Sequence, residues 1–277
     1  MLGGAAAILI GVTAAFLYSF KKHRRREVPE GYFLWGGGLA FPAVVLTALM
    51  AVALPVGQAL LLPDEDDVVR VEAIGNQWWW AFVHTDAPQG PVHAAVDLHI
   101  PAGRLVEVTL TSDNVIHSFW VPRVTWKLDV VPGHSNRLRL RADEPGVYEG
   151  VCAEFCGLHH AHMPFRLIAH AGDGYEAYLA DAAAAAVDAD HPGATDFVAE
   201  CSGCHSVDPL EPSPAPHLHR LRDRRLLGGV LAYEETADLR HWLREHENLK
   251  PGTFKPIHDH IPDDQLERII GYLESAP

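Results

Sequence analysis

Two long stretches without a single charge govern what this chain can fold into. Residues 2–20, LGGAAAILIGVTAAFLYSF, and residues 32–63, YFLWGGGLAFPAVVLTALMAVALPVGQALLLP, flank the basic segment KKHRRR at 21–26. About 20 apolar residues cross a bilayer as a helix, so each run is long enough to span. A secretory signal peptide carries positive charge before its apolar core, and here the charge comes after it. A buried helix of a soluble domain does not need thirty-two uncharged residues beside a second such run. The expected arrangement is a two-helix transmembrane hairpin over residues 1–64. Basic residues in a short loop stay cytoplasmic. Both chain ends then face outward, and everything after residue 64 lies on the periplasmic or extracellular side.

The rest of the 277 residues has room for about two domains. A hydrophobic content of 48% marks folded protein and not a disordered tail. The formal net charge of -14 excludes nucleic acid as the main partner, since phosphate binding needs a basic surface. An acidic surface suits a basic protein partner, mainly by speeding encounter. An oxidising compartment makes disulfides the default for the four cysteines.

From about 68 to 170 the pattern is strand-like. RLVEVTL at 104–110 and NRLRLRA at 136–142 alternate apolar and polar residues, and PAG, VPGH and DEPG punctuate the region as turns. Short, regularly spaced strands of this kind build a β-sandwich or barrel. Residues 172–190 are Ala-rich without a broad apolar face and read as a helix fading into a linker. After 191 the periodicity becomes helical: DLRHWLREHE and DDQLERIIGYLES space apolar residues for one face, the latter after Pro262 with acids in its first turn.

The densest chemistry lies in VCAEFCGLHHAHM, residues 151–163. A tetrahedral zinc site could use Cys152, Cys156 and two histidines, but leaves Met163 without a role. Thiolate and thioether together favour copper. A Cys152–Cys156 disulfide would leave every histidine unexplained. A remote histidine is on offer in VIHSFWVP, where His117 ends an alternating run. A remote histidine joined to a C-terminal Cys/His/Met loop is how cupredoxin sandwiches hold copper. The second cysteine permits two thiolates to bridge two ions.

The arrangement resembles subunit II of haem–copper cytochrome c oxidases, which carries the dinuclear copper centre CuA. That family shows C-x-E-x-C-x-x-x-H-x-x-M, read here as Cys152, Glu154, Cys156, His160 and Met163, with His117 35 residues before Cys152. The resemblance implies an all-β cupredoxin-like domain over 65–171. It further implies Cys152 and Cys156 as bridging thiolates, and His117 and His160 each on one copper. Met163 and the Glu154 carbonyl complete the two shells, with the Glu154 side chain on a magnesium ion at the boundary with subunit I. His159 and His162 fall outside the motif and are expected at the surface or behind the ligands. GNQWWW at 75–80 is similar to the family's G-x-Q-W-x-W segment. The likeness gives Trp78 the role of receiving the electron from cytochrome c, and leaves Trp79 and Trp80 in packing or at the subunit I contact.

CSGCH at 201–205 is a C-x-x-C-H haem c attachment motif, with Cys201 and Cys204 as thioether positions and His205 as the proximal iron ligand. No cysteine is then left for a disulfide. Residues 191–277 are expected as an all-α, class I cytochrome c-like domain, following a 172–190 linker. The fusion resembles the caa type of bacterial oxidase, which places the chain in the bacterial inner membrane with both domains outside. One departure stands out. Where the family has K-P-G-x-x-M-P, this chain reads KPGTFKP at 250–256, and its methionines are Met1, Met50 and Met163 alone. The distal haem ligand is therefore Lys255, His258 or His260, or it is missing. A second departure concerns the proton-channel glutamate of the second membrane helix: Glu27 and Glu30 are the nearest acids, and both lie outside the apolar run.

The resemblance implies a subunit that passes electrons from cytochrome c, or from its own haem, through CuA to haem in subunit I. There oxygen is reduced and protons are translocated. Nothing in the motifs supplies a nucleophile or acid for turnover by this chain alone. The alternatives are a CuA subunit of a nitric oxide reductase and a membrane-anchored copper-binding protein. A copper carrier has no use for covalent haem.

Overall fold

The computed structural model describes residues 2–20, 29–61, 68–184, 188–253, 256 and 258–276. The KKHRRR loop and Lys255 lie outside the described residues. The chain divides into two compact units, residues 1–64 and 65–277.

In the first unit, helix α1 covers Leu2–Ser19, and a π-helical stretch, Tyr32–Ala40, runs into helix α2, Phe41–Leu61. Large apolar side chains such as Ile8, Phe16, Trp35, Leu46 and Val52 are exposed around both helices. Helices apolar all round belong in lipid or in a large core. Among the described residues one helix, Tyr32–Gly57, is long and apolar enough to cross a membrane, and Gly3–Ser19 is shorter. The first run forms the shorter helix, α1, which ends at Ser19, whose hydroxyl donates back to Phe16 O at 2.6 Å.

The second unit opens with ten strands. They are β1 Val69–Asn76, β2 Trp79–His84, β3 Val92–Ala95, β4 Asp97–Pro101, β5 Val106–Ser112, β6 His117–Trp120, β7 Leu128–Val130, β8 Asn136–Leu140, β9 Gly146–Cys152 and β10 Pro164–His170. They form two five-stranded sheets, ordered β3-β2-β1-β5-β8 and β4-β10-β9-β6-β7. The pairs β1/β5 and β4/β10 are parallel; the others are antiparallel. Alternation decides the faces: along β5, Val106, Val108, Leu110 and Ser112 are buried and the residues between them are not. On β8, Leu138 and Leu140 point in while Arg139 points out to its register partner Glu107, 3.0 Å away. Trp80, Phe82, Phe119 and Phe165 fill the space between the sheets.

Helix α3, Gly174–Ala184, lies in the segment read as linker, yet it is docked on the sandwich. Tyr175, Tyr178, Leu179 and Ala182 join the sandwich core, a narrow stripe at helical spacing that the alanines around it disguise.

A second core belongs to helix α4, Ala194–Glu200, helix α5, Thr236–Leu249, and helix α6, Asp263–Ser275. Glu235 and Asp238 cap α5 reciprocally, and α6 starts after Pro262 with Asp263 and Asp264 in its first turn. Leu266, Ile269, Ile270 and Leu273 form its buried stripe. Helix α4 crosses α6 at Gly193, where a Cβ would strike the Arg268 carbonyl. The region is not helical alone. A two-residue ladder pairs β11, Leu226–Leu227, with β12, Leu231–Ala232.

Candidate functional site

The sulfur and imidazole groups of the dense loop converge where β6 and β9 meet. Register pairs Phe119 with Cys152, so His117, two residues back on β6, comes beside the end of β9. The ligating atoms of His117, Cys152 and Cys156 all lie within 4.8 Å of one another. Cys152 Sγ is 3.7 Å from His117 Nδ1, 3.8 Å from Cys156 Sγ and 3.3 Å from the Glu154 carbonyl oxygen. Cys156 Sγ is 3.6 Å from His160 Nδ1 and 3.9 Å from Met163 Sδ. All six expected copper donors are therefore brought together. The sulfurs are too far apart for a disulfide, whose S–S length is about 2.05 Å. A shared ion could touch both at a metal–thiolate length of about 2.3 Å.

Neighbouring groups prepare these donors. His117 Nε2 donates to Asn114 Oδ1 at 3.1 Å, which leaves Nδ1 bare and aimed at Cys152. The hydrogen bond between the sulfurs pulls the Cys152 pKa down to about 3 and, with burial, pushes the Cys156 thiol up. Metal binding would take the remaining proton. Gln77 Nε2 and Trp78 Nε1 both donate to the Cys156 carbonyl, at 2.8 and 3.0 Å. The Trp78 indole thus touches the backbone of the cysteine loop directly. The Glu154 carboxylate lies 3.5 Å from Lys127 Nζ.

The C-x-x-C-H residues face a cavity of about 510 Å³. Cys201, Cys204 and His205 line it together with Trp242, His258 and Leu266. Trp78 and Trp79 form part of its wall from the sandwich side. No disulfide joins Cys201 to Cys204. His205 Nδ1 donates to Pro216 O at 2.7 Å, which fixes the tautomer in which Nε2 carries no proton. Of the candidate distal ligands, His258 is 7% exposed and lines the cavity. His260 is turned to Glu200 Oε2 at 2.9 Å.

Sequence reasoning missed several residues. Gly75 has a backbone role: a Cβ there would sit 2.8 Å from His117 Cδ2, so the strand needs glycine to admit the ring. Asn114 sets the His117 tautomer, and its only signal was position, three residues before the ligand. His159, expected at the surface or behind the ligands, is 5% exposed, edge-on to Trp78 at 4.8 Å, with Nε2 on Pro251 O at 2.6 Å. His162 is exposed. Trp80 is fully buried in the sandwich core, and Trp79 is half-buried. Lys250, 4% exposed, has its pKa lowered to about 8 by burial.

Known proteins match both halves of the second unit. Residues 92–170 match the family described as cytochrome c oxidase subunit II, periplasmic domain, and residues 191–277 match the cytochrome c family. Cytochrome c oxidase subunit 2 of Alkalihalophilus pseudofirmus is 32% identical over 98% of this chain and 83% of its own length. The chain belongs to the cytochrome c oxidase subunit II family. The subunit 2 of Bacillus sp. strain PS3 is also 32% identical, over 76% of this chain and 63% of that protein. The solved periplasmic domain of subunit II of cytochrome oxidase from Bradyrhizobium japonicum is 25% identical, covering 43% of this chain and 94% of that one at a TM-score of 0.40. As a subunit II, the chain takes in electrons for an oxidoreductase complex, the terminal oxidase, and works beside other oxidase subunits. Its sandwich is the cupredoxin-like domain of that family. The matched domains imply copper and haem c. The apolar N-terminal helix fits a membrane-anchored subunit.

Proposed function

We propose that this subunit II holds dinuclear copper on Cys152, Cys156, His117, His160, Met163 and the Glu154 carbonyl. Covalent haem c sits on Cys201, Cys204 and His205. Copper held by these residues would supply a one-electron relay. The chain's own residues shape it: Asn114 orients His117, while Gln77 and Trp78 pin the Cys156 carbonyl. Trp78 is the electron-receiving side chain, and its hydrogen bond to the cysteine loop supports that role. Of the candidate distal ligands, His258 would hold the haem iron, supported by its burial in the cavity wall. The Glu154 carboxylate, which lies beside Lys127, would hold a magnesium ion at the subunit I boundary.

The division is a transmembrane hairpin at 1–64, a copper domain at 65–171, a connecting segment at 172–190 and a class I cytochrome c domain at 191–277. The chain passes the bacterial inner membrane twice, with the outer unit on the periplasmic side. The electron donor is cytochrome c, either a soluble one or the chain's own haem domain. The observation that carries the reading is the convergence of two thiols, two imidazoles, a thioether and a carbonyl through contacts of 3.3–3.9 Å. The test is metal analysis with optical and paramagnetic resonance spectroscopy of the purified full chain. Two coppers with a mixed-valence signal and one haem c are expected; one zinc and no copper would refute it.

A further inference from the structure

Lys250 is the most unusual charge in the outer unit. Its ammonium is buried at 4% exposure, and among the described residues no carboxylate pairs with it. Nζ instead donates to three backbone carbonyls: Trp78 O at 3.2 Å, His162 O at 3.2 Å and Gly228 O at 2.5 Å. An ammonium has three N–H groups, and all three are used. Two acceptors belong to the cupredoxin-like domain and one to the cytochrome region. The first two are telling: Trp78 is bonded to the Cys156 carbonyl, and His162 adjoins Met163. The next residue repeats the contact, since Pro251 O accepts from His159 Nε2, and Gly252 lies beside Leu158. Gly229 fits under the His162 carbonyl, where a Cβ would collide. Farther out, the Arg225–Glu149 pair at 3.2 Å joins the same two parts, but both side chains are more than half exposed.

We infer that Lys250 is the positioning residue that latches the cytochrome region onto the copper loop, holding Trp78 against the chain's own haem cavity and away from a separate donor protein. The inference rests on the copper and haem reading above. A buried ammonium without its carbonyls is costly, so the contact is all-or-none in a way that a surface ion pair is not. Lys250 also begins the KPG turn, and Lys250 and Thr253 both line the cavity, so docking and the cavity wall share one segment.

The experiment uses the full chain. In the wild type, reductive methylation followed by peptide mass spectrometry should leave Lys250 at least ten-fold less reactive than half-exposed Lys127. Lys250→Met should raise amide exchange in the segments around Trp78 and His162 at least ten-fold. It should slow haem-to-copper electron transfer after photoreduction at least ten-fold, with haem and copper content intact. Arg225→Gln, at the exposed rim, should change each readout less than three-fold. Equal reactivity of Lys250 and Lys127 would overturn the latch even if Lys250→Met fails to fold. So would Lys250→Met with wild-type exchange and transfer. Absence of copper or haem in the wild type would instead refute the reading beneath it.

Discussion

Gly75→Ala is a small substitution whose effect can be worked from the structure. A Cβ at Gly75 would stand 2.8 Å from Cδ2, 3.1 Å from Cγ and 3.3 Å from Cβ of His117. Carbon atoms prefer about 3.5–4.0 Å, so the ring must retreat by roughly 0.7–1.2 Å. It has little room, being fully buried against Trp80 with centroids 5.9 Å apart. Overpacking of this kind costs about 1–3 kcal/mol. Replacing glycine inside a strand returns about 0.5–1 kcal/mol. The net loss is about 0–2.5 kcal/mol, which for a unit of this size lowers Tm by up to about 10 °C. The assay is thermal unfolding of the metal-free full chain, followed by tryptophan fluorescence, in a double-mutant cycle with His117→Ala. Without the ring, Gly75→Ala should become neutral or stabilising. Copper affinity of the single variant should fall about 10–100-fold, as when a ligand loses its orientation. Equal destabilisation by Gly75→Ala in both backgrounds would refute the argument, because the cost would then not come from His117.

Other consequences follow from burial and hydrogen bonding. Burial lowers His84 to about 3, His217 to about 4 and His219 to about 2, against an ordinary 6.5. Below pH 6.5 the unfolded chain takes up protons that the folded chain refuses. Stability is therefore lost as pH falls from 6.5 toward 4, by up to roughly 1.4 kcal/mol per pH unit for each histidine. Denaturant titrations across that window check the slope, and His84→Gln should reduce it by one proton; an unchanged slope would count against the assignment. His258→Ala should keep covalent haem but convert a six-coordinate, low-spin optical spectrum to high-spin, whereas an unchanged spectrum would move ligation to Lys255. Without methionine ligation the haem potential should lie below that of fused cytochromes with His/Met ligation, as a redox titration would show. Trp78→Phe removes one of two donors to the Cys156 carbonyl, costing about 1 kcal/mol in unfolding free energy and slowing electron uptake.

Much of this chain was legible in one dimension because its chemistry is local. Four of the proposed copper donor residues and the Glu154 carbonyl lie within 152–163, and the proposed haem attachment residues within 201–205. A ligand loop or an attachment motif needs only spacing. Uncharged runs announce a lipid setting because every side chain in them speaks alike. Helices α5 and α6 appear in the sequence because a single solvent-facing surface imposes helical period on them. The role of α3 was hidden, since alanine is compatible with either a buried or an exposed face and four residues alone decide which.

Tertiary structure decided what depends on distant partners. Sheet pairing brings β1 and β5 together in parallel, and this sets Gly75 beside Ser112, under the His117 ring. Nothing in the sequence links Lys250 to Trp78, 172 residues away, or His159 to Pro251. A lysine beside a proline and glycine reads as an exposed turn until three carbonyls close around it. The sequence determined which residues are proposed to hold copper and haem, because coordination is a property of residue type and short spacing. The fold alone determined that the cysteine loop, Trp78 and the haem cavity share one wall, because burial and backbone hydrogen bonding across distant segments are cooperative properties of the packed chain.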